Sequence, residues 1–463
     1  MTEQLKLKLN DSKATRWGAL VIVAFTMMAA YYVNDVVAPL KTMLETDLAW
    51  SSTDFGFFTG GYSFLNVFFL MLIWGGLILD RFGIRFTGKL ATILMVGGTA
   101  LEYYAMTGLA GADATLFGIN EIFGYKTGVF VAFAGYSIFG VGAEVAGITV
   151  SKIIAKWFKG KELATAMGVQ VALARIGSQA GYAVAIPLAR AFGISTPVLL
   201  GLVLLLGGMI AFFIFAVMDK KLDKQMEAAA IAAGTEDEEE KFSFKDVKNI
   251  LVNPGFWLIA LLCVLFYSCV FPFQKFASEL MIIKYGINEN VAGTFAGLPA
   301  LGALILTPVF GGFIDKRGKS ASIMLLGSAM LICVHFIYAI PDINYWLVAI
   351  VLMIILGIAF SLVPSAMWPA VAKIFPVSQL GTAYALIFFI QNIGLWGIPT
   401  LIGWVLDAYC ISGKKPDGTN MYDYTVPMCI FTGIACLSLI VTLLLYKADK
   451  KYGYKLEEPN IQK

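Results

Sequence analysis

The strongest constraint on this fold is a series of long apolar runs that recur along almost the whole chain. A helix needs about 20 mostly apolar residues to cross the hydrocarbon core of a membrane, and it satisfies every backbone polar group there. Twelve such runs alternate with polar segments, so we predict an all-α membrane protein with twelve transmembrane helices. The runs begin near Trp17, Phe55, Thr87, Thr127, Leu163, Thr196, Pro254, Val291, Ser320, Tyr345, Gln379 and Tyr424.

Composition agrees with a lipid-facing surface and excludes several classes of function. Hydrophobic residues make up 59% of the 463 residues and charged residues 14%, whereas a soluble domain carries about 25% charged residues. A net charge of +3 is too small to indicate a nucleic-acid partner. The only histidine is His335, which excludes a His-based metal site or a Ser-His-Asp triad. No nucleophile–base pair or cofactor loop is present, so we expect neither an enzyme nor a cofactor.

Basic residues fall on alternate loops and predict the orientation of the chain. Loops on the cytoplasmic side of membrane proteins carry an excess of Lys and Arg. Both termini are therefore predicted to be cytoplasmic. The clusters are Lys6, Lys8, Lys13 and Arg16; Arg81, Arg85 and Lys89; Lys152, Lys156, Lys159 and Lys161; Lys220, Lys221, Lys224, Lys241, Lys245 and Lys248; Lys316, Arg317 and Lys319; and Lys447, Lys450 and Lys451.

A polar stretch at residues 219–253 divides the chain into two halves that share a loop pattern. We predict an N-terminal six-helix bundle at 1–218 and a C-terminal one at 254–463. The loop at 75–85 reads GGLILDRFGIR, and the loop at 311–319 reads GGFIDKRGK. Matching loops at the same place in two halves are typical of a transporter with its substrate site between them.

These loops resemble motif A of the major facilitator superfamily, which implies two six-helix bundles around a central cavity. In that family the motif is part of a gate, where an Asp near a helix end pairs with basic groups and neighbouring helix termini. The matching residues are Gly76, Asp80, Arg81, Gly83 and Arg85 in the first copy, and Gly312, Asp315, Arg317 and Gly318 in the second.

Two ionisable residues inside predicted helices are the leading candidates for substrate binding. Glu144 lies in the fourth span and Arg175 in the fifth, and charges at such depth are expensive and indicate function. One interpretation is a structural ion pair between adjacent helices. The other is that they grip a zwitterion, since Arg presents a rigid fork that matches a carboxylate and Glu144 would hold an ammonium group. Two separated opposite charges suit a dipeptide.

The surrounding segments resemble the lysosomal dipeptide transporters known as major facilitator superfamily domain-containing protein one. The segments are YYVND at 31–35, GAEVAGITVSKIIAKWFKGKEL at 142–163, ARIGS at 174–178, MWP at 367–369 and QLGTAYALIFFIQNIGL at 379–395. The resemblance implies dipeptide transport by facilitated diffusion, with Glu144 and Arg175 as substrate contacts. An acidic dileucine sorting signal is absent from 1–13, so we expect a bacterial relative in the inner membrane.

Other polar side chains within the apolar runs are additional candidates for the substrate site. Buried amide and phenol groups need partners, and each of these is as suited to helix–helix hydrogen bonding as to substrate contact. Lys275 is a further unusual charge in its span. The candidates are Tyr31, Tyr32, Asp35, Tyr62, Asn66, Tyr267, Gln274, Trp368, Tyr384, Gln391 and Asn392.

Two other functions are compatible with this sequence. A carboxylate carrier would use Arg175 for its anion, although Glu144 would repel a dianion. A membrane sensor without transport is a second alternative. Coupling to protons would have to use Glu144 or Asp35. Beyond a small solute and membrane lipid the sequence indicates no partner, and we expect a monomer.

Overall fold

Helices dominate the computed structural model, which describes residues 8–111, 114–158, 161–233 and 244–459. The N-terminal half contains α1 (Lys13–Val36), α2 (Lys41–Asp47), α3 (Ser52–Phe68), α4 (Met71–Thr107), α5 (Thr127–Phe158), α6 (Leu163–Phe192) and α7 (Thr196–Ala233). After α8 (Phe244–Val252), the C-terminal half contains α9 (Pro254–Tyr285), α10 (Glu289–Ala296), α11 (Leu298–Arg317), α12 (Ser320–Ala339), α13 (Trp346–Ile374), α14 (Val377–Tyr409) and α15 (Thr425–Tyr452).

Two short antiparallel hairpins lie in loops between helices. One pairs β1 (Glu121–Ile122) with β2 (Tyr125–Lys126), between α4 and α5. The other pairs β3 (Ile411–Lys414) with β4 (Asn420–Tyr422), between α14 and α15.

The helices of the described residues are those of an integral membrane protein. Nine are long and apolar enough to cross a membrane, and a tenth span forms if α3 and α4, which meet at a 58° bend, are taken together. A count of twelve requires α6 as an eleventh span. It also requires α4 to be divided at Gly83, with its first part joined to α3 as one span and its second part forming another. The number twelve therefore stays a prediction. Helix α7 continues to Ala233, so the predicted linker begins as helix, and the boundaries at 218 and 254 also stay predictions.

Two glycines explain why the repeated loop pattern requires this residue type. Gly83 interrupts α4 with φ +74°, and Gly318 ends α11 with φ +71°. A side chain is strained in this left-handed region, and glycine adopts it without cost. The two copies of the motif therefore make comparable turns, which is direct structural support for the repeat.

The two halves pack closely at one end of the helices. We call the end that carries the β3–β4 hairpin the opposite face, because it lies opposite the end at which α1 starts. Gly56 of α3 lies against Gly403 of α14 so closely that a Cβ atom on Gly56 would meet Gly403 Cα at 3.0 Å. Gly293 of α10 likewise approaches the carbonyl oxygen of Tyr182 in α6. Small residues permit this approach of helix backbones in membranes.

Candidate functional site

A cavity of about 240 Å³ lies between the two halves. Side chains of α1, α3, α5 and α6 line it from the N-terminal half, and side chains of α9, α13 and α14 line it from the C-terminal half. The structure brings together eight of the residues singled out from the sequence, namely Tyr31, Tyr62, Glu144, Arg175, Tyr267, Lys275, Trp368 and Gln391.

Glu144 supplies a carboxylate to the cavity from α5. Its Oε1 atom accepts a hydrogen bond of 3.0 Å from the hydroxyl group of Tyr62, which projects from α3. This contact fixes the carboxylate and occupies one of its oxygens. The other oxygen has no hydrogen-bond partner among the described residues, so it is available to a donor in the cavity.

Arg175 supplies a guanidinium group to the same cavity from α6. The group lies over two rings, with its Cζ atom 4.8 Å from the ring centre of Phe360 and 5.7 Å from that of Tyr31. No acceptor among the described residues takes a hydrogen bond from it. These cation–π contacts hold Arg175 in place while its N–H donors stay unused.

Glu144 and Arg175 do not neutralise each other. Neither belongs to an ion pair within 4.0 Å in the part of the chain that the structure describes. The structural pairing considered from the sequence is therefore not formed in this conformation. The cavity instead holds a carboxylate and a guanidinium group that are not paired with each other, each with open hydrogen-bonding capacity.

A third charged side chain, that of Lys275, lines the cavity where α9 meets α1. The ammonium group of Lys275 donates to the carbonyl oxygen of Asn34 at 2.6 Å, contacts Asp35 Oδ1 at 3.2 Å and lies 3.3 Å from the Tyr136 hydroxyl. Ser178 donates to the other Asp35 oxygen at 2.6 Å. Asp35 thus binds Lys275, and it is not among the residues that line the cavity. Asn34 and Tyr136 do line it and were missed from the sequence, where nothing distinguished them from packing residues.

Five further candidates do not line the cavity, and four of them bond to backbone. The Tyr32 hydroxyl donates to Pro197 O at 3.2 Å, and the Tyr384 hydroxyl donates to Trp368 O at 3.0 Å. The Gln274 and Asn392 amides donate to carbonyl oxygens at 3.4 Å and 3.0 Å. The Asn66 amide is buried, and neither of its polar atoms has a partner within the described residues.

The first copy of the motif A loop makes its charged contacts within its own half. Asp80 pairs with Lys152 at 3.0 Å, and Arg85 pairs with Asp223 at 2.9 Å. Arg81 lies over the ring of Phe82. No ion pair between this loop and the C-terminal half occurs among the described residues. Of the remaining predicted gate residues, Gly76 lies inside α4, and Asp315 and Arg317 lie at the end of α11.

A cluster of buried charges joins the halves at the opposite face. Lys41 of α2 binds both Glu45 and Glu279, and the Lys41 and Glu279 side chains are 1% and 0% exposed. Lys415, beside the β3–β4 hairpin, lies 3.5 Å from Glu45 and 3.4 Å from Glu279. Tyr424 also donates to Glu279. Two lysines and two glutamates from both halves therefore neutralise one another, and we call these four residues the opposite-face cluster.

Glu45 and Glu279 were not singled out from the sequence, because both lie near helix ends, where charged residues are usually solvated. Among the described residues, no group of His, Cys, Asp or Glu side chains is arranged to hold a metal ion.

Comparison with known proteins places this architecture in a family. The model of the Major Facilitator Superfamily matches residues 20–399 and 274–458. The nucleoside transporter NupG, solved as a point mutant, superposes with a TM-score of 0.68 at 12% identity, over 92% of this chain and 99% of that one. A bacterial homologue of the human lysosomal transporter Spinster, solved in an inward-facing and unoccupied conformation, gives 0.61 at 14% identity, over 98% and 99%. At such identities these likenesses show the fold alone.

Relatives at higher identity narrow the assignment. The lysosomal dipeptide transporter MFSD1 of Homo sapiens is 28% identical over 457 residues, which cover 96% of this chain and 88% of that protein. MFSD1 of Gallus gallus is 31% identical over 332 residues, which cover 69% of each. These relatives indicate a small-molecule transporter and not an enzyme. The chain is therefore a member of the major facilitator superfamily, in the family of the lysosomal dipeptide transporter MFSD1.

Proposed function

We propose that this transporter moves zwitterionic dipeptides across the inner membrane of a bacterial cell, by alternating access and as a monomer. The observation that carries the proposal is the presence of Glu144 and Arg175 in one cavity, unpaired with each other. The similarity to MFSD1 proteins, which are named as dipeptide transporters, supports the same substrate class. A dipeptide presents an ammonium group and a carboxylate at its two ends, and so complements both side chains.

The geometry of the two groups gives each a distinct role. Arg175 is held by its contacts with the Phe360 and Tyr31 rings, and its guanidinium fork can donate two parallel hydrogen bonds to a carboxylate. Glu144 is held by Tyr62 through one oxygen and receives the ligand's ammonium group on the other. A rigid site loses less conformational entropy on binding.

Uneven contacts between the halves support transport by alternating access. The opposite-face cluster joins the two halves at one end, whereas the ion pairs of the first motif A loop stay within the N-terminal half. Opening the opposite face would separate Lys41 from Glu279 and bring the motif A loops into contact with the other half. With both termini in the cytoplasm, the present conformation is the one sealed toward the outside.

A ligand panel on the purified protein tests the substrate class. A ligand that binds the native state raises its apparent melting temperature, so Ala-Ala should stabilise the protein. N-acetyl-Ala-Ala and Ala-Ala amide should stabilise it much less, because each lacks one charge. Stabilisation by oxalate and not by Ala-Ala would replace this proposal with a carboxylate carrier.

Two substitutions assign the roles. Arg175→Lys and Glu144→Gln should each weaken Ala-Ala binding by about 2–5 kcal/mol, the usual cost of removing one side of a buried charged contact. In Glu144→Gln the N-acetylated ligand should lose little further affinity, and in Arg175→Lys the amide should lose little. Arg190→Lys is the matched control, since Arg190 is an exposed residue of the same helix. Equal losses for all three ligands in both variants would contradict the assigned roles.

A further inference from the structure

One wall of the cavity consists of aromatic rings from the C-terminal half. Tyr267 and Phe271 of α9 stack in parallel with their ring centres 5.5 Å apart. Trp368 of α13 stacks on Phe388 of α14 at 4.8 Å, and its indole N–H donates to the Tyr267 hydroxyl at 3.3 Å. All four line the cavity, and we call them the ring wall.

The ring wall adjoins the positive group of the site. Phe360, on which Arg175 stacks, lies 5.4 Å from Phe271 and 6.2 Å from Tyr267, measured between ring centres. Glu144 belongs to the N-terminal half and is held there by Tyr62. The rings of Tyr62 and Tyr136 line the cavity beside Glu144. Of the two charges, only Arg175 contacts the separate cluster of rings that includes the wall.

This asymmetry gives a bound dipeptide a direction. A carboxylate on Arg175 places the carboxyl-terminal residue beside the ring wall, and an ammonium group on Glu144 places the amino-terminal residue toward α3 and α5. The wall itself offers ring surfaces and no carboxylate or ammonium group, and Lys275, which also lines the cavity, is already paired with Asp35. Aromatic side chains gain from ring–ring contact beyond simple burial, whereas a charged side chain would be desolvated without an opposite charge. A second cation would also be repelled by Arg175.

We propose that the ring wall is the specificity site for the carboxyl-terminal side chain of the substrate, and that it selects aromatic and large apolar residues at that position. This inference rests on the proposed dipeptide function, and it adds which end of the dipeptide is read and by which residues. Trp368 is the central determinant, because it contacts both Tyr267 and Phe388.

Two dipeptides of identical composition test the direction. Ala-Phe and Phe-Ala have the same mass, charge and apolar area, so a difference in affinity reports only the order of residues. Titration of the purified wild-type protein should give an affinity for Ala-Phe about 5- to 10-fold tighter than for Phe-Ala, as expected for one ring contact. Ala-Lys and Ala-Glu should bind more weakly than Ala-Phe.

Variants connect the preference to the wall. In Trp368→Leu the affinity ratio of Ala-Phe to Phe-Ala should fall toward one, and in Trp368→Phe, which keeps a ring, most of the ratio should remain. Trp404→Leu is the matched control, because Trp404 is 48% exposed and does not line the cavity. The ratio is measured within one protein at a time, so a general loss of stability does not mimic the effect.

The outcomes separate the two proposals. Binding of Ala-Ala with equal affinities for Ala-Phe and Phe-Ala would overturn the role of the ring wall and leave dipeptide binding standing. A preference for Phe-Ala, or a ratio unchanged in Trp368→Leu, would overturn it as well. Failure of all three dipeptides to bind the folded wild-type protein would overturn the dipeptide function itself.

Discussion

The Nζ atom of Lys275 lies 3.2 Å from Oδ1 of Asp35, and this ion pair joins α9 of the C-terminal half to α1 of the N-terminal half. The two side chains are only 11% and 10% exposed. A buried charge that loses its partner is strongly destabilising, whereas removing both charges costs much less.

We therefore expect Asp35→Asn to lower the free energy of unfolding by about 3–5 kcal/mol, and Asp35→Asn with Lys275→Met to recover most of that loss. Denaturation of the purified single and double variants measures both quantities. Destabilisations that simply add in the double variant would show that the two charges do not interact.

Asp80 is expected to act on transport rate and not on affinity. Its contact with Lys152 is solvent-exposed, with exposed fractions of 67% and 39%, so the pair contributes under about 1 kcal/mol to stability. Asp80→Asn should slow Ala-Ala uptake into proteoliposomes and leave its equilibrium affinity within a few-fold, because a residue outside the cavity biases conformations without touching the ligand. A large loss of affinity in the folded variant would place Asp80 in the binding site instead. Asp315→Asn should behave in the same way.

The opposite-face cluster should control access to the cavity from that face. Lys415→Met removes one of its two cations and leaves Glu45 and Glu279 under-compensated. The test uses a background variant in which the native cysteines are replaced and Ala30, which lines the cavity, is changed to cysteine. In this background, Lys415→Met should increase the labelling of that cysteine several-fold when an impermeant maleimide is added at the opposite face.

Lys414→Met is the control for this experiment, because Lys414 is an exposed lysine of the same hairpin that binds Asn420. If the two lysine variants were labelled alike, the cluster would not be the seal.

In the present conformation, the close packing of α3 against α14 should leave no space for a side chain on Gly56. A Cβ atom on Gly56 would lie 2.4 Å from the carbonyl oxygen of Pro399, whereas one on Gly97 would meet nothing within 4 Å. Gly56→Ala should therefore destabilise this conformation by about 1–3 kcal/mol. Gly97→Ala should be neutral or slightly stabilising, since alanine favours helix. Thermal denaturation in detergent compares the two, and equal melting temperatures would mean that the backbone moves apart without cost.

A site residue could be predicted from the sequence only where its residue type is unusual in its surroundings. Glu144 and Arg175 stood out because charges inside apolar runs are rare, and the structure places both in one cavity. Gly83 and Gly318 stood out through the repeat, and their φ angles explain their presence. Phe360 could not be recognised, because a Phe in an apolar helix is ordinarily packing or lipid surface. Its contact with Arg175 exists only through the approach of α6 to α13.

The stacking of Arg175 on Phe360 has a consequence for the transport cycle. Arg175 belongs to one half and Phe360 to the other, so an empty carrier that reverses its orientation has to give up this contact. In the proposed mechanism, a loaded carrier has the dipeptide's carboxylate on Arg175, which would replace part of the lost interaction. We therefore expect the return of the empty protein to be the slow step, so that a dipeptide supplied on the far side accelerates efflux of labelled dipeptide. Exchange would be faster than net flux.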